Sequence, residues 1–165
     1  RTAQMRRQGE VEIFPVRGNV PTRVAKVKCG ELDGVVLAAA GLRRLGLQPP
    51  NVIDLPVDRF VPAPAQGALA IQVREGDSTV TLIAMIEHNP SRRAVEAERS
   101  FLRYLHAGCH TPVGALASVS GSTITLHGQL FSDDGLRMVE GIETGDDPQP
   151  VGARLAERLA RNLQE

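Results

Sequence analysis

The sequence predicts an α/β lobe followed by a small α+β domain, and three observations carry that expectation. The first half alternates short apolar or β-rich runs with helical ones, the order of a βαβ unit built on a parallel or mixed sheet. Beyond residue 112 three β-like runs follow one another through short turns, which makes them antiparallel neighbours. The last stretch repeats Leu155, Leu159 and Leu163 at helical spacing, a stripe suited to covering one face of that three-stranded sheet. Aromatic residues make up 3% of the chain, with no Trp, so aliphatic side chains must do most of the packing.

The chain opens Arg1-Thr2-Ala3-Gln4-Met5-Arg6-Arg7 with no initiator Met and no cap ahead of it, so it reads as the inside of a helix in a piece of a longer protein. Val11 to Val16 alternates as a strand does and runs into the turn Arg17-Gly18-Asn19. Pro21 suits the first turn of a helix capped by Asn19 or Val20, which continues to Cys29 and stops at Gly30. Gly34 to Ala40 is a continuous apolar run, the pattern of a strand covered on both sides. Gly41 opens a short helix over 42–45 that ends at Gly46.

Residues 47–64 are rich in proline and lack a helical period, so they read as a connection between lobes, with hinge motion expected near Val61 to Gln66. Gln66 to Arg74 is a further strand. Asp77 or Ser78 caps a helix over 80–88, and Asn89-Pro90-Ser91 reads as a break. An amphipathic helix follows over 92–106, with Ala94, Ala97, Phe101, Leu102 and Leu105 on one face. Strands are predicted over 113–120, 122–131 and 136–144, joined by Ser120-Gly121-Ser122 and Asp133-Asp134-Gly135. Asp146-Asp147-Pro148 then starts a last helix, 151–163. On this division residues 1–60 form the α/β lobe, 61–76 a hinge and strand, and 77–165 the α+β domain.

Lys and Arg together number 19, as do Asp and Glu, so the formal charge is zero and a general nucleic-acid binder working through a basic surface is disfavoured. Two cysteines far apart, no signal-peptide pattern and no long apolar stretch suggest a soluble protein of a reducing, cytoplasmic compartment with no membrane partner. Nothing favours a Cys29–Cys109 disulfide.

The chemistry concentrates in two places. In His106-Ala107-Gly108-Cys109-His110-Thr111-Pro112 a thiol sits on a Gly/Pro-bounded turn with little side chain to hide it, which makes Cys109 the candidate reactive atom; a half-buried cysteine at a helix end is the bland alternative. Arginines fall where a βα unit exposes ligand-binding ends: Arg17 at a strand end, Arg23 in a first helical turn, Arg44 beside a Gly-flanked turn and Arg1 at the start. Arg23 works against the helix dipole there, which an acidic ligand would explain, and guanidinium groups suit carboxylates through paired planar hydrogen bonds. Solvated surface arginines are the simpler reading of each. Rival functions remain: a His106–Cys109–His110 metal site, a cysteine-dependent hydrolase, and a non-catalytic anion-binding module of solute-binding type, which needs the arginines and not the thiol.

Arg17-Gly18-Asn19-Val20 with Thr22-Arg23, Leu37 through Gly46, Gln66-Gly67-Ala68, Ala97-Glu98-Arg99, Gly108-Cys109 and Pro112-Val113-Gly114 together resemble the porphobilinogen deaminase (hydroxymethylbilane synthase) family, in order and along nearly the whole chain. The resemblance implies a periplasmic-binding-protein-like lobe, a strand belonging to a missing first domain, and a third domain that anchors the cofactor. It implies a cytoplasmic transferase of tetrapyrrole and haem biosynthesis, monomeric when complete, that condenses four porphobilinogen units with loss of ammonia onto a dipyrromethane cofactor. That cofactor would be joined through a thioether to Cys109, with no metal.

By position Arg1, Arg17, Arg23, Gly41 and Arg44 match cofactor contacts. Arg17, Arg23, Leu37, Ala38, Arg44, Gln66 and Gly67 match contacts to porphobilinogen and the growing chain. The sequence also departs from the family pattern. No counterpart of the family's catalytic aspartate is present, so these residues are expected not to turn over without the N-terminal half of the protein. Pro15 stands where serine is common, His110 follows the cysteine where other polar residues are frequent, and Ala65 replaces a glycine.

Overall fold

The computed structural model describes residues 1–106 and 112–165. In chain order its elements are α1 (Thr2–Arg6), α2 (Val20–Lys28), α3 (Ala39–Arg44), α4 (Thr79–Ala84), α5 (Asn89–Tyr104), β1 (Val113–Ser120), β2 (Thr123–Phe131), β3 (Met138–Gly145) and α6 (Pro148–Gln164). They belong to two compact units, residues 10–55 and residues 1–9 with 56–165.

The unit of residues 10–55 is held by local signals. Asn19 Oδ1 accepts from the Thr22 amide at 2.9 Å, Pro21 lies in the first turn where no amide is needed, and α2 ends at Cys29 before Gly30 turns with φ +76°. The expected strands at 11–16 and 34–40, and that at 66–74 in the other unit, are not formed. Residues 11–17, 34–38 and 68–74 carry no strand pairing, and Ala39 and Ala40 already belong to α3. A strand is completed by a neighbour's ladder, and among the described residues the one sheet present is β1–β2–β3.

That sheet has the expected antiparallel order. Val113 pairs with Leu130 and Ser120 with Thr123, while Ile124 pairs with Gly145 and Phe131 with Met138. Gly121 takes φ +58° at the first loop position, the positive φ that lets a two-residue hairpin follow strand twist. Alternation sends Ala115, Ile124, Leu126 and Leu130 to one face, where they meet Phe101 of α5 and Val151, Leu155 and Leu159 of α6. Full burial of each large aliphatic or aromatic side chain contributes roughly 1.5–3 kcal/mol. Gly128 and Gly141 face each other in the register and leave room for Leu155: a Cβ on Gly128 would lie 2.9 Å from Leu155 Cδ2.

Both long helices start earlier than predicted, for one reason. Pro90 and Pro148 occupy first-turn positions, where a missing amide costs no hydrogen bond, so Asn89-Pro90-Ser91 begins a helix rather than breaking the chain and the last helix includes Pro148 itself. His88 Nδ1 caps the Ser91 amide, and Asp147 Oδ1 caps that of Gln149 at 3.0 Å. Helix α4 stops at Ala84 instead of reaching His88, with Leu82, Met85 and Ile86 exposed and no residue of the helix buried.

The opposite face of the sheet is covered at one end by α1 and by Phe60 and Val61, both buried. Gln4 Nε2 donates to Val61 O and to Gln129 Oε1, each at 2.8 Å, and Gln129 Nε2 donates to Glu140 Oε2 at 3.0 Å. The free edge of β1 is satisfied from the same direction: the Ala115 amide donates to Pro62 O at 2.8 Å and the Ala117 amide to Glu98 Oε1 at 2.8 Å. The expected hinge at 61–66 is therefore bonded to this unit through Val61, Pro62 and, below, Ala65.

Glu143 sits on the helix-facing side of β3 and accepts from Arg154 Nε at 3.0 Å and Arg158 Nη1 at 2.7 Å. Desolvation works to raise its pKa, but the two hydrogen bonds and the arginine charges outweigh it and hold the carboxyl below its ordinary value. A lowered folded-state pKa contributes stability above the ordinary carboxylate range that is lost as pH falls through the folded value. With both arginines half-exposed the effect is about 1 kcal/mol or less. Urea midpoints of wild type and Glu143→Gln should thus differ at neutral pH and converge in acid; a gap that persists in acid would exclude this account.

Candidate functional site

In the unit of residues 10–55 two of the sequence-predicted cations, Arg17 and Arg23, lie at the turn and first helical turn that begin α2. Gly18 adopts φ +113°, in the region that favours glycine, and a Cβ there would meet Thr22 Cγ2 at 3.0 Å. The turn lets Arg23 Nε donate back to Gly18 O at 2.8 Å, which ties down a guanidinium whose charge opposes the helix dipole. Gly41 brings α3 against this turn, since a Cβ on it would lie 3.3 Å from Val20 Cγ2. Arg17, Arg23 and Gly41 therefore share one neighbourhood, while Leu37 is half-buried and Ala38 exposed just ahead of α3. Arg44 is exposed in the last turn of α3, where a cation complements the helix C-terminus.

Arg17 also lines a groove of about 590 Å³ with Lys26, Glu31 and the apolar side chains of Phe14, Val16 and Leu32. Lys26 and Glu31 form an ion pair along it. Lys26 was not singled out from the sequence, because a lysine mid-helix is by default solvated; only the return of Glu31 and Leu32 beneath α2 makes it a lining residue.

The remaining predicted residues belong to the other unit. Arg1 Nη1 donates to Gln4 Oε1 and to Phe60 O, both at 2.7 Å, and partial desolvation lowers the guanidinium from its ordinary pKa. Gln66 and Gly67 are exposed on a tight double turn, with the Gln66 amide donating to Ala63 O at 3.0 Å and the Ala68 amide to Ala65 O at 3.2 Å. Ala65 takes φ +61°, a left-handed conformation that costs an L-residue roughly 1–2 kcal/mol and glycine nothing comparable. Ala65 thus stands at a position whose backbone suits glycine.

A buried carboxylate meets that turn. Glu98 of α5 is 5% exposed and accepts from the Ala65 amide through Oε2 at 2.6 Å while its Oε1 takes the Ala117 amide. Desolvation raises its pKa, opposed by the hydrogen bonds from Ala117 and Ala65. From sequence Glu98 stands out only within the Ala97-Glu98-Arg99 resemblance, since the helical pattern alone places it beside the apolar face and says nothing of a turn more than thirty positions earlier.

Cys109 and His110 lie outside the described residues, so the thiol and the His106–Cys109–His110 metal reading have no geometry here. Among the described residues no group of three or more His, Cys, Asp or Glu gathers to hold a metal ion, Cys29 is a free exposed thiol, and no helix is long and apolar enough to cross a membrane.

Comparison with known proteins gives these features a common setting. The family model described as porphobilinogen deaminase, dipyromethane cofactor binding domain, matches residues 1–82, and that described as porphobilinogen deaminase, C-terminal domain, matches residues 92–161. The chain belongs to the porphobilinogen deaminase family. Porphobilinogen deaminase of Rubrobacter xylanophilus is 43% identical over 160 residues, covering 96% of this chain and 52% of the relative. That of Alkaliphilus metalliredigens is 41% identical over 155 residues, with 92% and 49% covered, and that of Brevibacillus brevis 43% over 152, with 91% and 49%. The chain spans about half the length of the curated relatives it matches. The mixed α/β architecture with a three-stranded antiparallel sheet agrees with the C-terminal domain of a porphobilinogen deaminase. Arg17, Arg23, Gly41 and Arg44 fall within the part matched by the cofactor-binding description, and Cys109 within the C-terminal part.

Proposed function

We propose that this chain is part of a hydroxymethylbilane synthase, a transferase that condenses four porphobilinogen units, with release of ammonia, onto a dipyrromethane held by Cys109. The observation that carries the reading is the ordered match of both porphobilinogen deaminase domains along one chain. The chemistry of unit 10–55 fits the group. Pyrroles bearing acetate and propionate need cations beside apolar walls, and the groove of Arg17 and Lys26 with Phe14, Val16 and Leu32 offers that combination.

In this reading Arg17, Arg23 and Arg44 neutralise carboxylates, Leu37, Ala38 and Gly41 shape the wall, and Arg1 contributes a cation already oriented by Gln4 and Phe60. Gln66 and Gly67 contact porphobilinogen and the growing chain. The cofactor, when attached, supplies the primer for condensation; the residues here bind and orient.

The same reading assigns residues 1–60 to a periplasmic-binding-protein-like lobe, 61–76 to a hinge and a strand of a first domain, and 77–165 to the anchoring domain. The unpaired stretches support it: Leu69, Ile71 and Val73 alternate along 68–74 and are exposed, as the outer positions of a strand lacking its neighbours would be. The N-terminal half of the protein is the expected partner, with the complete enzyme a cytoplasmic monomer.

Intact mass of the full-length protein tests the assignment. A pyrrolic adduct mapping to Cys109 is expected, and turnover of porphobilinogen by protein whose thiol is unmodified would refute it. Arg17→Leu or Arg44→Leu should slow pyrrole addition or cofactor assembly about 10- to 100-fold, the loss of one charge-assisted carboxylate pair. Because both side chains are exposed, the unfolding free energy from urea titration should change by no more than about 0.5 kcal/mol. Unchanged single-turnover rates in both variants would remove these arginines from the site.

A further inference from the structure

The function just proposed leaves one buried ionisable group without a role. Among the described residues both oxygens of Glu98 are taken by backbone amides that belong to different segments, Ala65 in the turn before the exposed Gln66 and Gly67, and Ala117 on the edge of β1. A carboxylate suits that task because it is acceptor-only at both oxygens, whereas a carboxamide presents one acceptor and one donor to the same two N–H groups. The turn it holds has an intrinsic bias against its own shape, since Ala65 carries a side chain at φ +61°. Neighbouring bonds fix the approach to the turn, with Phe60 O, Val61 O and Pro62 O accepting from Arg1, Gln4 and Ala115, but at the turn itself Glu98 is the side chain that reaches in.

We propose that Glu98 is a positioning residue, whose carboxylate keeps Ala65 in the left-handed conformation and so presents Gln66 and Gly67 to the pyrrole substrate from a turn fixed to the anchoring domain. The proposal rests on the assignment of Gln66 and Gly67 as substrate contacts. It also divides the expected hinge: residues up to Ala65 travel with the α5–β1 core, and flexing begins at Gly67, whose φ of +88° needs glycine.

Two measurements separate the clamp from the functional assignment. Amide hydrogen exchange on the chain itself reports the clamp without reference to substrate. In Glu98→Gln at least one of the Ala65 and Ala117 amides should exchange about tenfold faster, the loss of one hydrogen bond. In the full-length protein, Glu98→Gln should lower kcat/KM for porphobilinogen about tenfold through misplacement of the turn, with the Cys109 adduct still formed. The discriminating variant is Ala65→Gly, because glycine reaches the left-handed conformation unaided: Glu98→Gln should cost clearly less on that background, about threefold or under. Equal losses with Ala65 and with glycine at that position, or unchanged exchange at both amides, would overturn the proposal. A wild-type protein with the clamp protected and no adduct on Cys109 would instead refute the functional assignment, and with it the substrate half of the inference.

Discussion

Gly152→Ala is expected to destabilise the unit of residues 1–9 and 56–165 by about 2–3 kcal/mol, against the sign that helix propensity alone gives. Glycine inside a helix is worse than alanine by about 1 kcal/mol, and Gly152 sits in α6, so an exposed site would gain from the change. Here α6 crosses α5 at closest approach. A Cβ on Gly152 would stand 2.4 Å from Ala97 O, 2.5 Å from Ser100 Cβ and 2.6 Å from the Phe101 amide nitrogen. Two of those three atoms are backbone, so no rotamer change relieves the contact and the helices must separate. Separation loosens Phe101, Leu155 and Leu159, each at most 1% exposed, and strains the Ser100 Oγ bond to Gln149 O at 2.7 Å. Urea unfolding of the chain checks it. A variant as stable as wild type would mean that the two helices do not pack as described.

That crossing shows what the sequence reveals and what it hides. The β1–β2 and β2–β3 hairpins were legible because their register is set locally, by Gly121 and by the Asp134–Gly135 turn, in which Asp134 Oδ1 takes the Leu136 amide at 2.9 Å. Helices α5 and α6 were legible from their apolar spacing, although Pro90 was misread as a break and the last helix was begun at 151 instead of Pro148. The strands at 11–16 and 34–40 were expected from alternation in the first and an unbroken apolar run in the second; such patterns report that a segment suits a ladder, not that a neighbour is at hand.

Gln129 illustrates the opposite failure. Alternation along β2 puts it on the face away from α5 and α6, where a polar residue reads as solvated, yet it is 2% exposed beneath Arg59, Phe60 and Val61. The adjacent pair Phe60-Val61 near the end of a proline-rich connection was the available signal, since two neighbouring large apolar side chains need something to cover. Within the candidate site, the arginines were legible from type and turn context. Lys26 and Glu98 were not, because each acquires its surroundings from a segment distant in the sequence or folded back beneath it.

Cys109→Ser should have the largest effect on function: no pyrrolic adduct in the full-length protein, and activity reduced by at least about a thousandfold. A thioether requires sulfur, and a thiol is a few per cent thiolate at neutral pH and intrinsically nucleophilic, whereas a serine hydroxyl is effectively un-ionised and needs an adjacent general base. Serine differs by one atom, so an unfolding midpoint equal to wild type would show that the loss is one of attachment. Arg17→Leu provides the contrast, because it weakens carboxylate recognition while leaving the sulfur in place. The rivals part at the same variant: a metal site would lose bound zinc, and a cysteine hydrolase would lose turnover of an ester without ever carrying a pyrrole. The red colour that an aldehyde reagent gives with a bound dipyrromethane should appear with wild type and be absent from Cys109→Ser. If the serine protein still develops that colour, the primer is held by some other atom and Cys109 is not its anchor.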